Sequence, residues 1–163
     1  MGEIDEQAFL GLIRENFRRI RWIAEKFHGG GDADDVCQEI LLQLWRSFPA
    51  FRGDAAAGTW LYRIAVNTAV TFERKNFRHR QPVPLDTAEE LPGSDPDSLR
   101  QAAILKQFMD GLQEMDAVLL MMYLDGLSAE EMASVAGISG NSVSARISRM
   151  KKRFEAQFVG EPA

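Results

Sequence analysis

"SAEEMASVAGISGNSVSARISRMKKR", residues 128–153, decides how the chain folds. Ser128 and Glu131 have the spacing of a capping box, in which a hydroxyl and a carboxylate satisfy the first free amides of a helix. Gly137 stands where a helix of about two turns would end, because glycine enters the left-handed closing turn without steric cost. Ile138 is a short link, and Ser139 or Asn141 caps a second, longer helix. Met132, Val135, Ile138, Val143 and Ile147 would form the apolar face that both helices share. Two helices joined this tightly make a helix-turn-helix, whose second helix can enter a DNA major groove while the first crosses the backbone.

That second helix is the basic part of an acidic chain. Residues 139–154 hold Arg146, Arg149, Lys151, Lys152 and Arg153 and no carboxylate. The 163 residues carry 19 basic and 24 acidic groups, net −5, and setting these five bases aside leaves 14 against 24. An ordinary amphipathic helix with a solvated basic face would satisfy the charge alone. The cap, the glycine, the tight turn and the absence of acids together favour DNA. If about four of these bases neutralise phosphates, affinity should fall with salt at a log–log slope of roughly −4.

Upstream, "QPVPLDTAEELPGSDPDSL" (81–99) holds four prolines and five acids, Asp86, Glu89, Glu90, Asp95 and Asp97, with no base. Prolines so placed forbid one continuous helix, and like charges keep a segment extended. The stretch reads as a linker between a domain at 1–80 and one at 100–158. In the first domain, Phe9, Ile13, Phe17, Ile20, Ile23 and Phe27 form a helical stripe ended by Gly29–Gly31. Asp32, Asp34 and Asp35 suit the start of a second helix bearing Val36, Ile40, Leu44 and Phe48. A third carries Trp60, Leu61, Ile64, Ala65, Thr68 and Phe72 and runs to about Arg80. The second domain reads as helices near 97–113, 115–124, 128–136 and 140–157. No strand pattern survives, including at "VLLMMYL" (118–124), so the expected class is all-α with two small helical domains.

Several functions are disfavoured. No run reaches the roughly 18 apolar residues of a membrane span, and the acidic start lacks the form of a signal peptide, so a cytoplasmic protein is expected. Cys37 is the only cysteine, which suits a reducing compartment and a small buried side chain. His28 with Asp32, Asp34 and Asp35 does not make a zinc site, and a calcium loop begun at Asp32 would need other residues than Cys37 and Gln43. No nucleophile–base pair and no glycine-rich phosphate loop is present. No enzyme, metal, cofactor or small-molecule ligand is therefore expected.

"FRGDAAAGTWLYRIAVNTAVTFERKNFRHR" (51–80) interleaves aromatics with bases, as single-stranded nucleic acid requires: bases stack on rings and phosphates meet cations. Phe51, Arg52, Trp60, Arg63, Asn67, Arg74 and Lys75 are the candidates, although Trp60 and Ile64 also suit a core. With "DADDVCQEILLQLW" (32–45) and "LDGLSAEEMASVAGISGNSVSARISR" (124–149), this stretch resembles an extracytoplasmic-function (group IV) sigma factor of bacterial RNA polymerase. The likeness spans about residues 5–156.

The resemblance implies roles. Asp35, Gln38, Glu39, Leu42, Gln43 and Trp45 would dock on core RNA polymerase. The loop 51–58 would capture a base flipped from the −10 element, and Asn67 would contact another, with Trp60 and Arg63 supporting the site. Ser144, Ala145, Ser148 and Arg149 would face bases of the −35 element, with Ser142, Arg146, Lys152 and Arg153 beside them. It also implies a cognate anti-sigma factor and an acidic linker that mimics nucleic acid in the polymerase channel. Ser144 stands where the family usually has a base, and "AAAG" (55–58) stands where many members have a larger residue. A free-standing helix-turn-helix regulator, or an adaptor that binds proteins only, is the competing reading; melted-strand features at 51–80 favour the sigma factor.

Overall fold

The chain divides into two units, Met1–Pro84 and Leu85–Ala163. The computed structural model describes residues 6–51, 57–72 and 95–159, and these form helices and turns with no strand among them. The fold is all-α.

Three helices build the first unit: α1 (Glu6–Phe27), α2 (Ala33–Ser47) and α3 (Ala57–Thr71). Ile20, Ile23, Val36, Ile40, Leu44, Leu61 and Tyr62 are its fully buried large side chains. The α1 stripe differs from its sequence reading at Phe17, which is 41% exposed. Phe17 lies about 80° round the helix from Phe9, at the edge of the face centred on Phe9, Ile20 and Ile23. Ala24, which the apolar stripe passed over, is fully buried. A 3-10 turn, Gly30–Asp32, leads into α2. Asp32 makes no side-chain capping bond there. Asp34 in the first turn pairs instead with Arg21 at 3.3 Å, and Arg21 also holds Glu25 at 3.0 Å.

His28 fastens the ends of α1 and α3. Its Nε2–H donates to the Ala69 carbonyl at 2.6 Å, and its ring meets Phe72 edge-on at 5.3 Å. Thr68 and Thr71 each return their hydroxyl to the carbonyl four residues earlier, the back-bond open to a threonine within a helix. The helix is described to Thr71, and its expected run to about Arg80 falls within residues 73–94, which lie outside the described chain. Cys37 is buried, and burial pushes its thiol pKa up, against a smaller lowering by Arg21.

The second unit contains α4 (Pro96–Asp110), α5 (Glu114–Leu124), α6 (Ala129–Ala136) and α7 (Gly140–Phe154), the last running into a π turn, Glu155–Val159. Helix α4 begins inside the stretch read as linker. Asp95 accepts the Ser98 amide at 2.7 Å, and Pro96 takes the first helical position, where its missing N–H costs nothing. That amide bond holds the Asp95 carboxyl below its usual pKa. Helix α5 is buried on most sides through Ala117, Val118, Leu119, Leu120 and Met122, which explains its unbroken apolar run. Met109, Met132 and Met150 fill the same core. Phe108, Phe154 and Phe158 close its far end as an aromatic cluster.

Candidate nucleic-acid interface

Helices α6 and α7 form the turn that the sequence implied. The capping box is complete: Ser128 Oγ accepts the Glu131 amide at 3.1 Å, and Glu131 Oε1 accepts the Ser128 amide at 3.3 Å. Gly137 closes α6 with φ 72° and ψ 28°, its amide donating to the Ala133 carbonyl at 2.9 Å. Ser139 caps α7, its Oγ accepting the Ser142 amide at 3.1 Å. Met132, Val143 and Ile147 are buried between the helices; Val135 and Ile138 are half-buried, and Met150 joins the buried face.

The basic side chains of α7 are not equivalent. Arg146 reaches back to α5 and pairs with Asp116 at 3.0 Å. Lys151 lies over the Tyr123 ring at 4.5 Å. Arg153 lines a groove with Gln107, Phe108, Gly111, Gln157 and Phe158 on the α4 side. Arg149 and Lys152 are exposed on the outward face with Ala145 and Ser148. Ser142 and Ser144 are exposed as well, and Ser144 stands with Ser148 at the rim of an open groove of about 330 Å³ floored by Met132, Val143 and Ile147.

In the first unit, Phe9, Phe48, Phe51 and Trp60 form an aromatic cluster. Phe51 lies 4.8 Å from Trp60 between ring centres, Phe48 6.2 Å from Trp60, and Phe9 5.3 Å from Phe48. Trp60 is half-buried, so its ring serves core and surface together. Arg63 and Asn67 are exposed one turn apart on α3, followed by Val70 at 56% exposure. Arg52, Arg74 and Lys75 lie outside the described residues. On α2, Asp35, Gln38 and Leu42 share an exposed face, with Leu42 at 40% exposure. Glu39 accepts a hydrogen bond from Gln43 at 2.9 Å beside them, while Trp45 packs edge-on against Phe9 at 5.0 Å. An exposed leucine among carboxylates and amides suits a protein surface with cationic and apolar character.

Sequence reasoning missed the ties between distant residues. Asp116 with Arg146, and His28 with the Ala69 carbonyl, are separated by 30 and 41 positions. No local pattern signals such a pair.

Comparison with known proteins gives the same division. The family model of sigma-70 region 2 matches residues 12–79, and that of sigma-70 region 4 matches residues 100–154. The ECF RNA polymerase sigma-E factor of Escherichia coli K12 is 31% identical over 165 aligned positions, covering 93% of this chain and 86% of that protein. The sigma-E factor of Haemophilus influenzae is 27% identical, with 93% and 87% covered. Among solved structures, the fold resembles the sigma factor RpoE of Bartonella quintana, crystallised with the anti-sigma factor NepR, at 18% identity and TM-score 0.63 over 92% of this chain and 96% of that one. It also resembles CnrH, solved in complex with the cytosolic domain of CnrY, at 23% identity and TM-score 0.58 over 93% and 88%. The chain belongs to the extracytoplasmic-function sigma factors of the sigma-70 family, and its function is that of an RNA polymerase sigma factor.

Proposed function

We propose that the protein acts as the promoter-specificity subunit of bacterial core RNA polymerase for a particular set of genes, working in the cytoplasm and without chemistry of its own. A domain at 1–80 binds polymerase and opens the −10 element, and a domain that starts with α4 and runs to 158 binds the −35 element, with the proline-rich acidic stretch before α4 as the link. Asp35, Gln38, Glu39, Leu42, Gln43 and Trp45 dock on polymerase. Phe51, Arg52 and Trp60 receive a base extruded from the −10 element; extrusion costs a few kcal/mol, which stacking offsets. Arg63, Asn67, Arg74 and Lys75 hold the melted strand. Arg149 has the guanidinium fork that fits guanine O6 and N7 in a major groove, and Lys152 and Arg153 meet phosphates. By analogy with the complexes of its structural relatives, a protein antagonist of the anti-sigma type holds it inactive.

One observation carries the reading: a single chain has both sigma-70 regions in order, and each bears an exposed face of the type that meets nucleic acid. The test is transcription from fragmented genomic DNA by the purified protein with bacterial core polymerase, mapping RNA 5′ ends. Starts that share −35 and −10 sequences are expected. Core binding without starts would point to an antagonist, and neither core binding nor starts would leave a free-standing regulator.

A further inference from the structure

Two residues of the sequence could cap α7, and the structure uses one. Ser139 has the extended backbone of a cap, φ −72° and ψ 155°, and its hydroxyl takes the Ser142 amide. Asn141 is left as the second residue of the helix. It is exposed, and its amide makes no hydrogen bond among the described residues. At 100° per residue it stands in line with Ala145, Ser148 and Lys152, opposite the buried Val143, Ile147 and Met150. Its capping capacity goes unused, so local helix stability does not account for it. Its neighbours Ser142, Ser144 and Ala145 are short and leave the amide the longest reach on that end of the helix.

We propose that Asn141 reads an adenine in the −35 element, Oδ1 accepting from the adenine N6 amino group and Nδ2 donating to N7. A carboxamide matches that donor–acceptor pair, which in the major groove belongs to adenine alone. The N-terminal residues of a recognition helix face base edges. The assignment rests on the reading of this domain as the −35 binder and adds one base to it.

The test uses holoenzyme assembled from the full chain and core polymerase. Open-complex formation is measured on a promoter library randomised through the −35 element, for wild type, Asn141→Ala and Arg149→Ala. Alanine keeps the helix, and a thermal melt of each variant verifies this. Wild type should select adenine at one −35 position. Asn141→Ala should lose that preference, falling by about 5- to 150-fold on the adenine-bearing promoter, with preferences elsewhere intact. Arg149→Ala should alter a different position. Replacing that adenine by 7-deazaadenine removes N7 and should weaken wild type while leaving Asn141→Ala unmoved. An unchanged −35 profile in Asn141→Ala, or a uniform weakening at every sequence, would overturn the assignment and leave the −35 reading standing. Wild type without any −35 preference would overturn both.

Discussion

At the residue scale, Arg146, one of the five bases of α7, carries an ion pair to Asp116 of α5. Its side chain is 38% exposed and that of Asp116 29%, so the pair is partly shielded and holds α7 on α5. Exposed and half-exposed pairs contribute about 0.2–1 kcal/mol. Arg146→Ala and Asp116→Ala should each lower the melting temperature of the free protein. Their double-mutant cycle should return a coupling of about 0.5–1 kcal/mol, since the residues are in contact. Promoter binding gives the second readout. Lys152→Ala should reduce the log–log salt slope by about 1, as loss of one phosphate contact requires, and Arg146→Ala should leave the slope unchanged. A slope that falls by the same amount in both variants, with no coupling to Asp116, would return Arg146 to the phosphates.

At the scale of elements, the helix-turn-helix depends on one left-handed residue. Gly137 has φ 72° and open space where a Cβ would stand, so Gly137→Ala would meet no clash and its cost would be conformational alone. That cost is about 1–2 kcal/mol, and chemical denaturation should show it as a lower midpoint. Gly11, inside α1, has equally open space and ordinary helical backbone, so Gly11→Ala should stabilise by about 0.5–1 kcal/mol. Opposite signs for one chemical change would place the effect in φ. The same contrast explains what the sequence made legible. Ser128, Glu131 and Gly137 act on their own backbone within a turn, so spacing alone revealed the turn that carries the candidate site. Asp95 and Pro96 also act locally, and the helix expected from about 97 begins at Pro96. Phe17 misled because helical spacing defines a direction and not the width of the face that neighbours cover. The choice between Ser139 and Asn141 as cap depends on φ and ψ, and the Asp116–Arg146 pair depends on tertiary packing, so neither was readable.

Over the whole molecule, the balance outside α7 is acidic, 24 acids against 14 remaining bases. Net charge alone is a weak brake on DNA binding. Two unit charges about 20 Å apart in water interact by about 0.2 kcal/mol, and 0.1 M salt leaves roughly a seventh of that. Acids distant from α7 therefore cannot reduce its DNA affinity appreciably at physiological ionic strength, whereas acids held against it can. The acidic run upstream of α4 is the segment to test. Asp95 caps α4 and Asp97 lies in its first turn, so replacing either would disturb the helix as well as the charge. Asp86→Asn, Glu89→Gln and Glu90→Gln together change charge without touching that cap. If this run shields the basic helix in the absence of polymerase, the triple variant should bind −35 duplex several-fold more tightly than wild type at 0.05 M salt. The gain should disappear near 0.5 M, where the Debye length is about 4 Å. Fluorescence anisotropy across a salt series measures both limits. Equal affinities at low salt would remove shielding and leave the acids to solubility and to the polymerase surface.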